Sequence, residues 1–143
     1  MKTSPKGIAL IKEFEGLRLR AYKCPGGVWT IGYGHTAGVK AGMVITERQA
    51  EDFLKADLIE FEKYLNDLGL AINQNQFDAL ISLIYNIGIG NFQKSTLLRK
   101  ARVNPNDNSI MDEFLKWVYS KGRVLPGLQR RRLREMKLYF SNE

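Results

Sequence analysis

The sequence predicts an α+β chain, mostly α, in which a small β-containing lobe leads into a helical lobe with a cleft between them. Three observations carry this expectation. LRLRAY alternates apolar and polar residues and is followed, after Cys-Pro-Gly-Gly, by the strand-like VWTIGYG. From Thr46 onward, apolar residues recur at helical spacing. The chain has 143 residues, 44% of them hydrophobic and 26% charged, an ordinary globular composition. The expected organisation is one domain over residues 1–143, with the β-containing lobe at about 1–45 and the helical lobe at about 46–143.

Ser4-Pro5 reads as a helix N-cap and first helical residue, and Gly16 as the stop. Between them Ile8, Ile11 and Phe14 or Glu15 repeat at helical spacing. Glu15 stands four residues beyond Ile11 and ends this apolar stripe, whereas Glu13 falls on the opposite face. LRLRAY and VWTIGYG, with Cys24-Pro25-Gly26-Gly27 between them, predict an antiparallel hairpin or a small three-stranded sheet. Gly32, Gly34, Gly38 and Gly42 keep the return segment from forming a long strand.

Thr46 and Gln49 make a T-x-x-Q capping box, and Ala50, Phe53, Leu54, Leu58, Phe61, Tyr64 and Leu65 carry a helix to about residue 68. Residues 74–88 form a strongly apolar helix through Phe77, Leu80, Ile81, Ile84 and Ile87, the pattern of a central core helix. Ser95 caps a short helix to residue 100, and VNPNDN is a loop. Ser109 with Asp112 starts a helix to about residue 119, and a last helix covers residues 126–140.

There are 22 Lys and Arg against 15 Asp and Glu, a formal charge of +7, which argues for an anionic partner. A single cysteine excludes an internal disulfide. The only early apolar run, residues 8–11, is too short for a signal peptide or a membrane span. The expectation is a protein that folds in the cytoplasm and makes no stable membrane insertion.

EGLRLRAYKCPGGVWTIGYGHT, residues 15–36, holds the only cysteine and the only histidine. Position alone gives Glu15 two readings. Beside a helix C-terminus and partly buried, its protonated form is favoured, as a general acid requires; or it is a surface acid next to a glycine stop. Cys24 with His35 admits a thiol–imidazole dyad, although a lone cysteine is more often packing. One His and one Cys leave too few ligands for a typical metal site.

The spacing Glu15, eight residues, Cys24, five residues, Thr30, inside FEGLRLRAYKCPGGVWTIGYGHT, resembles the active-site segment of the phage-type lysozymes, the family 24 glycoside hydrolases. NQFDALISLIYNIGIGNFQKSTLL and LPGLQRRRLREMKLYF resemble that family's central helix and its C-terminal helix. The resemblance implies a lysozyme-like fold and cleavage, with inversion, of the β-1,4 bond between N-acetylmuramic acid and N-acetylglucosamine in peptidoglycan. It casts Glu15 as the general acid and Thr30 as the residue that helps hold the attacking water. Cys24 stands where many members have aspartate, its role open between base, nucleophile and water positioning. An ordinary thiol titrates near about 8.5 and is mostly neutral at pH 7 unless a nearby cation lowers that value; Arg18, Arg20, Lys23 and His35 are the local candidates.

By the same resemblance His35 is structural support, and Asn86 and Ser95 present polar contacts to the glycan. Each of the last two also reads as a helix-end residue. Tyr22 and Tyr33 either line the cleft or pack in the core, and Trp29 and Trp117 read as packing. Arg130, Arg131, Arg132 and Arg134 read as a solvated basic face that could draw the protein to an anionic wall. The expected partners are peptidoglycan glycan strands and, from the family, a holin that releases a monomeric enzyme from the host cytoplasm to the periplasm; no cofactor or metal is expected. Three alternatives remain: a lytic transglycosylase on the same bond, a non-catalytic wall-binding protein, and a basic nucleic-acid-binding module. No nucleic-acid-binding motif supports the last.

Overall fold

The computed structural model describes residues 1–142. Its elements are α1 (Pro5–Glu15), β1 (Arg18–Lys23), β2 (Trp29–Gly32), α2 (Glu47–Asp67), α3 (Gln74–Ile87), α4 (Ile89–Gln93), α5 (Thr96–Val103), α6 (Ile110–Phe114), β3 (Tyr119–Ser120), β4 (Arg123–Val124) and α7 (Pro126–Tyr139). The expected mostly helical α+β architecture is present.

The core forms around α3. Residues 76–84 of this helix are all buried: Phe77, Ala79, Leu80, Ile81, Leu83 and Ile84 pack in the core, and the polar Gln76, Asp78 and Ser82 are hydrogen-bonded inside it. α3 contacts α1, α2, α4 and α7. The helix ends follow from their caps: Thr46 with Gln49, and Asn73 with Gln76, close reciprocal capping boxes at α2 and α3.

β1 and β2 pair antiparallel, with Tyr22 opposite Thr30 and Lys23 opposite Trp29. The outer edge of β1 is met by the return segment, where Ala21 N donates to Met43 O and Ile45 N to Leu19 O, both at 2.9 Å. β2 then lies on α2. α1, in contrast, packs on α3 and α7, so the N-terminal helix joins the helical side of the molecule.

Four expectations need correction. The helix begun near Ser109 stops at Phe114, and residues 119–124 form a second hairpin instead. Its turn has positive φ at Lys121 (51°) and Gly122 (78°), the left-handed pair that closes a two-residue hairpin. Ser109 gives its hydroxyl to Asp107 Oδ1 and caps nothing. Ser4 does not cap α1 with its own side chain; its amide (3.0 Å) and its hydroxyl both donate to the buried carboxylate of Asp78 on α3. Finally, the basic run of α7 is not a solvated face. Arg131 is 3% exposed and Arg132 0%, and only Arg130 and Arg134 of the four face water.

Asp78 also explains a glycine inside α1. A Cβ on Gly7 would lie 2.7 Å from Thr3 Cγ2 and 2.8–2.9 Å from the Asp78 side chain. Asp78 is fully buried and held by Ser4, so it cannot give way. Gly7→Ala should therefore destabilise the protein by about 1–3 kcal/mol through overpacking, although alanine is the better helix former. Urea unfolding measures this, and a stabilised variant would contradict the close approach of α1 and α3.

Candidate active site

Glu15 is the last residue of α1, and Gly16 (φ 72°) turns the chain out of the helix towards β1. The carboxylate is only partly exposed at the wall of a cleft of about 690 Å³. That wall comes from Glu13, Phe14 and Glu15 of α1, Asn86 of α3, and Leu125 through Leu128 with Arg130 and Arg131 at the start of α7. A neighbouring hollow of about 420 Å³ shares Asn86, Leu125 and Leu128 and continues past Trp117 and Tyr119. Together they form an elongated groove with an acid at one side, a shape suited to a linear polymer.

Glu15 is not an acid among apolar neighbours alone. Arg131 Nη1 donates to Glu15 Oε2 at 2.6 Å, which fixes the carboxylate at the groove wall. Its other oxygen, Oε1, faces the backbone of Gly34. A Cβ at Gly34 would lie 3.3 Å from Oε1 and from the Tyr85 hydroxyl, and φ there is +92°, so this position admits glycine alone. Tyr85 donates its hydroxyl to Tyr33 O at 2.8 Å, tying α3 to the end of the hairpin. Burial, with the Glu15 charge second, pushes the Tyr85 phenol well above its ordinary value, so it stays a donor.

Cys24 and Thr30 stand together on the hairpin; neither lines the groove wall at Glu15. The thiol is held below its ordinary value, chiefly by the backbone amides of Val28 and then Gly26, with a contribution from the Thr30 hydroxyl. The stabilising groups are therefore turn amides, and none of the candidate cations is among them. Arg18 lies over the Tyr22 ring (4.8 Å), Lys23 over Trp29 (5.5 Å), and His35 is engaged elsewhere. The tight turn that closes on Cys24, with Cys24 N donating to Val28 O (3.0 Å) and Gly27 N to Cys24 O (2.8 Å), brings those amides round the sulfur. Thr30 Oγ1 donates to Val28 O at 3.1 Å.

His35 pairs through Nδ1 with Asp57 of α2 at 2.8 Å and stacks on Phe53 at 4.3 Å with 10° between the planes. Its backbone exchanges both hydrogen bonds with Ile31. These contacts clamp the hairpin's end to α2, and a Cys24–His35 dyad is not formed.

The expected sugar contacts divide. Asn86 is exposed at the groove, oriented by Arg132 Nη2 at 2.8 Å. Ser95 is 5% exposed; its hydroxyl donates to Phe92 O (2.6 Å) and accepts from Leu98 N (3.1 Å), so it is committed to capping α5. Tyr33 is 7% exposed, its ring near Lys12 Nζ, which leaves little surface for a ligand. Arg131 was not expected at the site. The signal that marks it is Glu135, spaced four residues from Arg131 and three from Arg132, as one-face partners on a helix.

Residues 12–135 match the family described as phage lysozyme. The endolysin of Acyrthosiphon pisum secondary endosymbiont phage 1 is 46% identical over 99% of this chain and 99% of its own length. Among solved structures, the muramidase domain of SpmX from Asticaccaulis excentricus superimposes with TM-score 0.91 at 38% identity, covering 98% of each chain. A point mutant of P22 lysozyme gives TM-score 0.87 at 40% identity over 99% of each chain. With a matching profile over most of its length and relatives aligned end to end, the chain belongs to the phage lysozyme family.

Proposed function

We propose that the protein is a muramidase that hydrolyses the β-1,4 bond between N-acetylmuramic acid and N-acetylglucosamine in peptidoglycan, as a phage or prophage endolysin. The observation that carries this reading is Glu15, held by Arg131 at the wall of an elongated groove in a chain of this family. Glu15 protonates the glycosidic oxygen as the bond to the anomeric carbon breaks. A water held by Thr30 attacks the anomeric carbon from the opposite face and gives its proton to the Cys24 thiolate, while the glycosidic oxygen leaves with the proton from Glu15. The turn amides make that assignment workable, because they stabilise a thiolate where a carboxylate would need no help. Asn86 offers its amide to the glycan, and His35 keeps the hairpin seated on α2.

In the same reading the enzyme waits as a monomer in the host cytoplasm until a holin opens the inner membrane, and then acts in the periplasm. No helix among the described residues is long and apolar enough to cross a membrane.

Two measurements test the chemistry. Glu15→Gln keeps the side-chain shape and removes the proton donor, so clearing of purified peptidoglycan should fall by at least about 100-fold with folding unchanged. The wild-type products should carry reducing ends; 1,6-anhydro sugars would identify a transglycosylase instead. The second measurement uses the thiol. A thiol held below its ordinary value is ionised above that value and loses its charge as pH falls through it, so Cys24 should set the acidic limb of the pH–rate profile. Cys24→Asp, whose carboxyl titrates near about 3.9, should stay active and move that limb to lower pH, whereas Cys24→Ala should lose most activity across the range. An acidic limb unmoved by Asp, or full activity in Ala, contradicts the assigned role.

A further inference from the structure

Behind Glu15 lies a fully buried acid that the reaction does not use. Glu135 on α7 is 0% exposed. Its Oε2 accepts three donors: the Ser82 hydroxyl (2.5 Å), Arg131 Nε (3.2 Å) and Arg132 Nη2 (3.3 Å). Its Oε1 lies 2.8 Å from Arg132 Nε as an ion pair. Each arginine then continues to the groove. Arg131 reaches Glu15 with Nη1 and Ser82 O with Nη2 (3.1 Å); Arg132 reaches Asn86 with Nη2 and the Trp117 carbonyl with Nη1 (3.4 Å).

The geometry points to Glu135 as a positioning residue that acts through Arg131 on Glu15, and through Arg132 on Asn86, so that one buried carboxylate orients both the acid and a glycan contact. This rests on the reading of Glu15 as the general acid.

Three physical arguments support it. Arginine stays protonated, so two guanidiniums buried to 3% and 0% need opposite charges close by. Glu15 and Glu135 are the acidic side chains that meet them, and Glu135 is the one that touches both arginines. Next, Arg131 is planar and gripped at Nε and both Nη atoms, by Glu135, Glu15 and Ser82, so it cannot swing away from Glu15 while Glu135 stays in place. Last, a Ser–Glu–Arg assembly inside a helical core is costly to bury, and well-packed apolar residues of similar volume often serve stability as well, so stability alone is a weak reason for it. Burial pushes the Glu135 carboxyl up, while Arg132, Arg131 and the Ser82 hydroxyl pull against that rise. The other charged or titratable groups around Glu15 are Tyr85 from α3 and, at the groove wall, Glu13 and Arg130. None of them touches both arginines.

The test is the kinetics of Glu135→Gln on purified peptidoglycan, well below its melting temperature, beside Arg131→Lys and the double variant. Glu135→Gln should lower kcat about tenfold, because a misplaced acid costs chemistry, while the loosened Asn86 contact raises KM separately. If it acts through Arg131, the double variant should fall no further than Arg131→Lys alone, a non-additivity that a merely structural role does not produce. A kcat equal to wild type, or additive losses, would overturn the inference. Should Glu135→Gln fail to fold, Ser82→Ala loosens the same carboxylate while keeping every charge; a kcat loss of about threefold supports the inference, and an unchanged kcat overturns it. Glu15→Gln in the same assay separates the two readings. If it is inactive while Glu135→Gln keeps the wild-type kcat, only the positioning role fails; if it keeps the wild-type rate, the assignment of the acid fails.

Discussion

The bond between Arg131 and Glu15 joins the two ends of the chain, 116 residues apart in sequence, at the wall of the groove. A guanidinium so deeply buried must be surrounded by fixed acceptors, and the fold provides them from three directions: Glu15 at the end of α1, Ser82 in the middle of α3, and Glu135 one turn along α7. α1, α3 and α7 are thereby held in one arrangement, and the acid cannot drift without disturbing the core. The cost of burying these charges falls on stability, and the benefit appears as a carboxylate held in a single orientation at the groove.

The second half of the proposed site rests on different physics. No carboxylate stands opposite Glu15 in the sequence motif, and Arg18 and Lys23 near Cys24 face aromatic rings. Stabilisation of negative charge comes instead from backbone amides of a tight turn, which a short Pro-Gly-Gly sequence can fold round a sulfur. The turn is carried by a hairpin that α2 clamps through His35, Asp57 and Phe53. The chemistry assigned to this hairpin thus depends on how rigidly it is seated on α2.

Local signals in the sequence were enough for most of the architecture. Capping boxes, a helix-stopping glycine and two-residue alternation each act within a few residues, and α1, α2, α3, α5, α7 and the first hairpin follow from them. What was not legible depended on distant partners. Ser4 looked like a cap until Asp78, 74 residues away, took both its donors. The basic run of α7 looked solvated because burial of Arg131 and Arg132 needs Glu15, Ser82 and Asn86 from other elements. The second hairpin escaped because its two-residue strands are too short to show a period. At the site, the Glu15–Cys24–Thr30 spacing was readable, as was Asn86 at the groove. Ser95 carried the right residue type, but its hydroxyl is consumed by its own helix.

The central claim, that Arg131 holds Glu15 in the geometry of reaction, is tested most directly by Arg131→Lys. Lysine keeps the charge and loses the planar fork that grips Glu15, Ser82 and Glu135 together. Steady-state kinetics on peptidoglycan should show kcat reduced by about tenfold or more with KM nearly unchanged and the protein still folded. A variant whose kcat stays within about twofold of wild type would show that the charge suffices and that the fixed geometry of this pair does not govern the reaction.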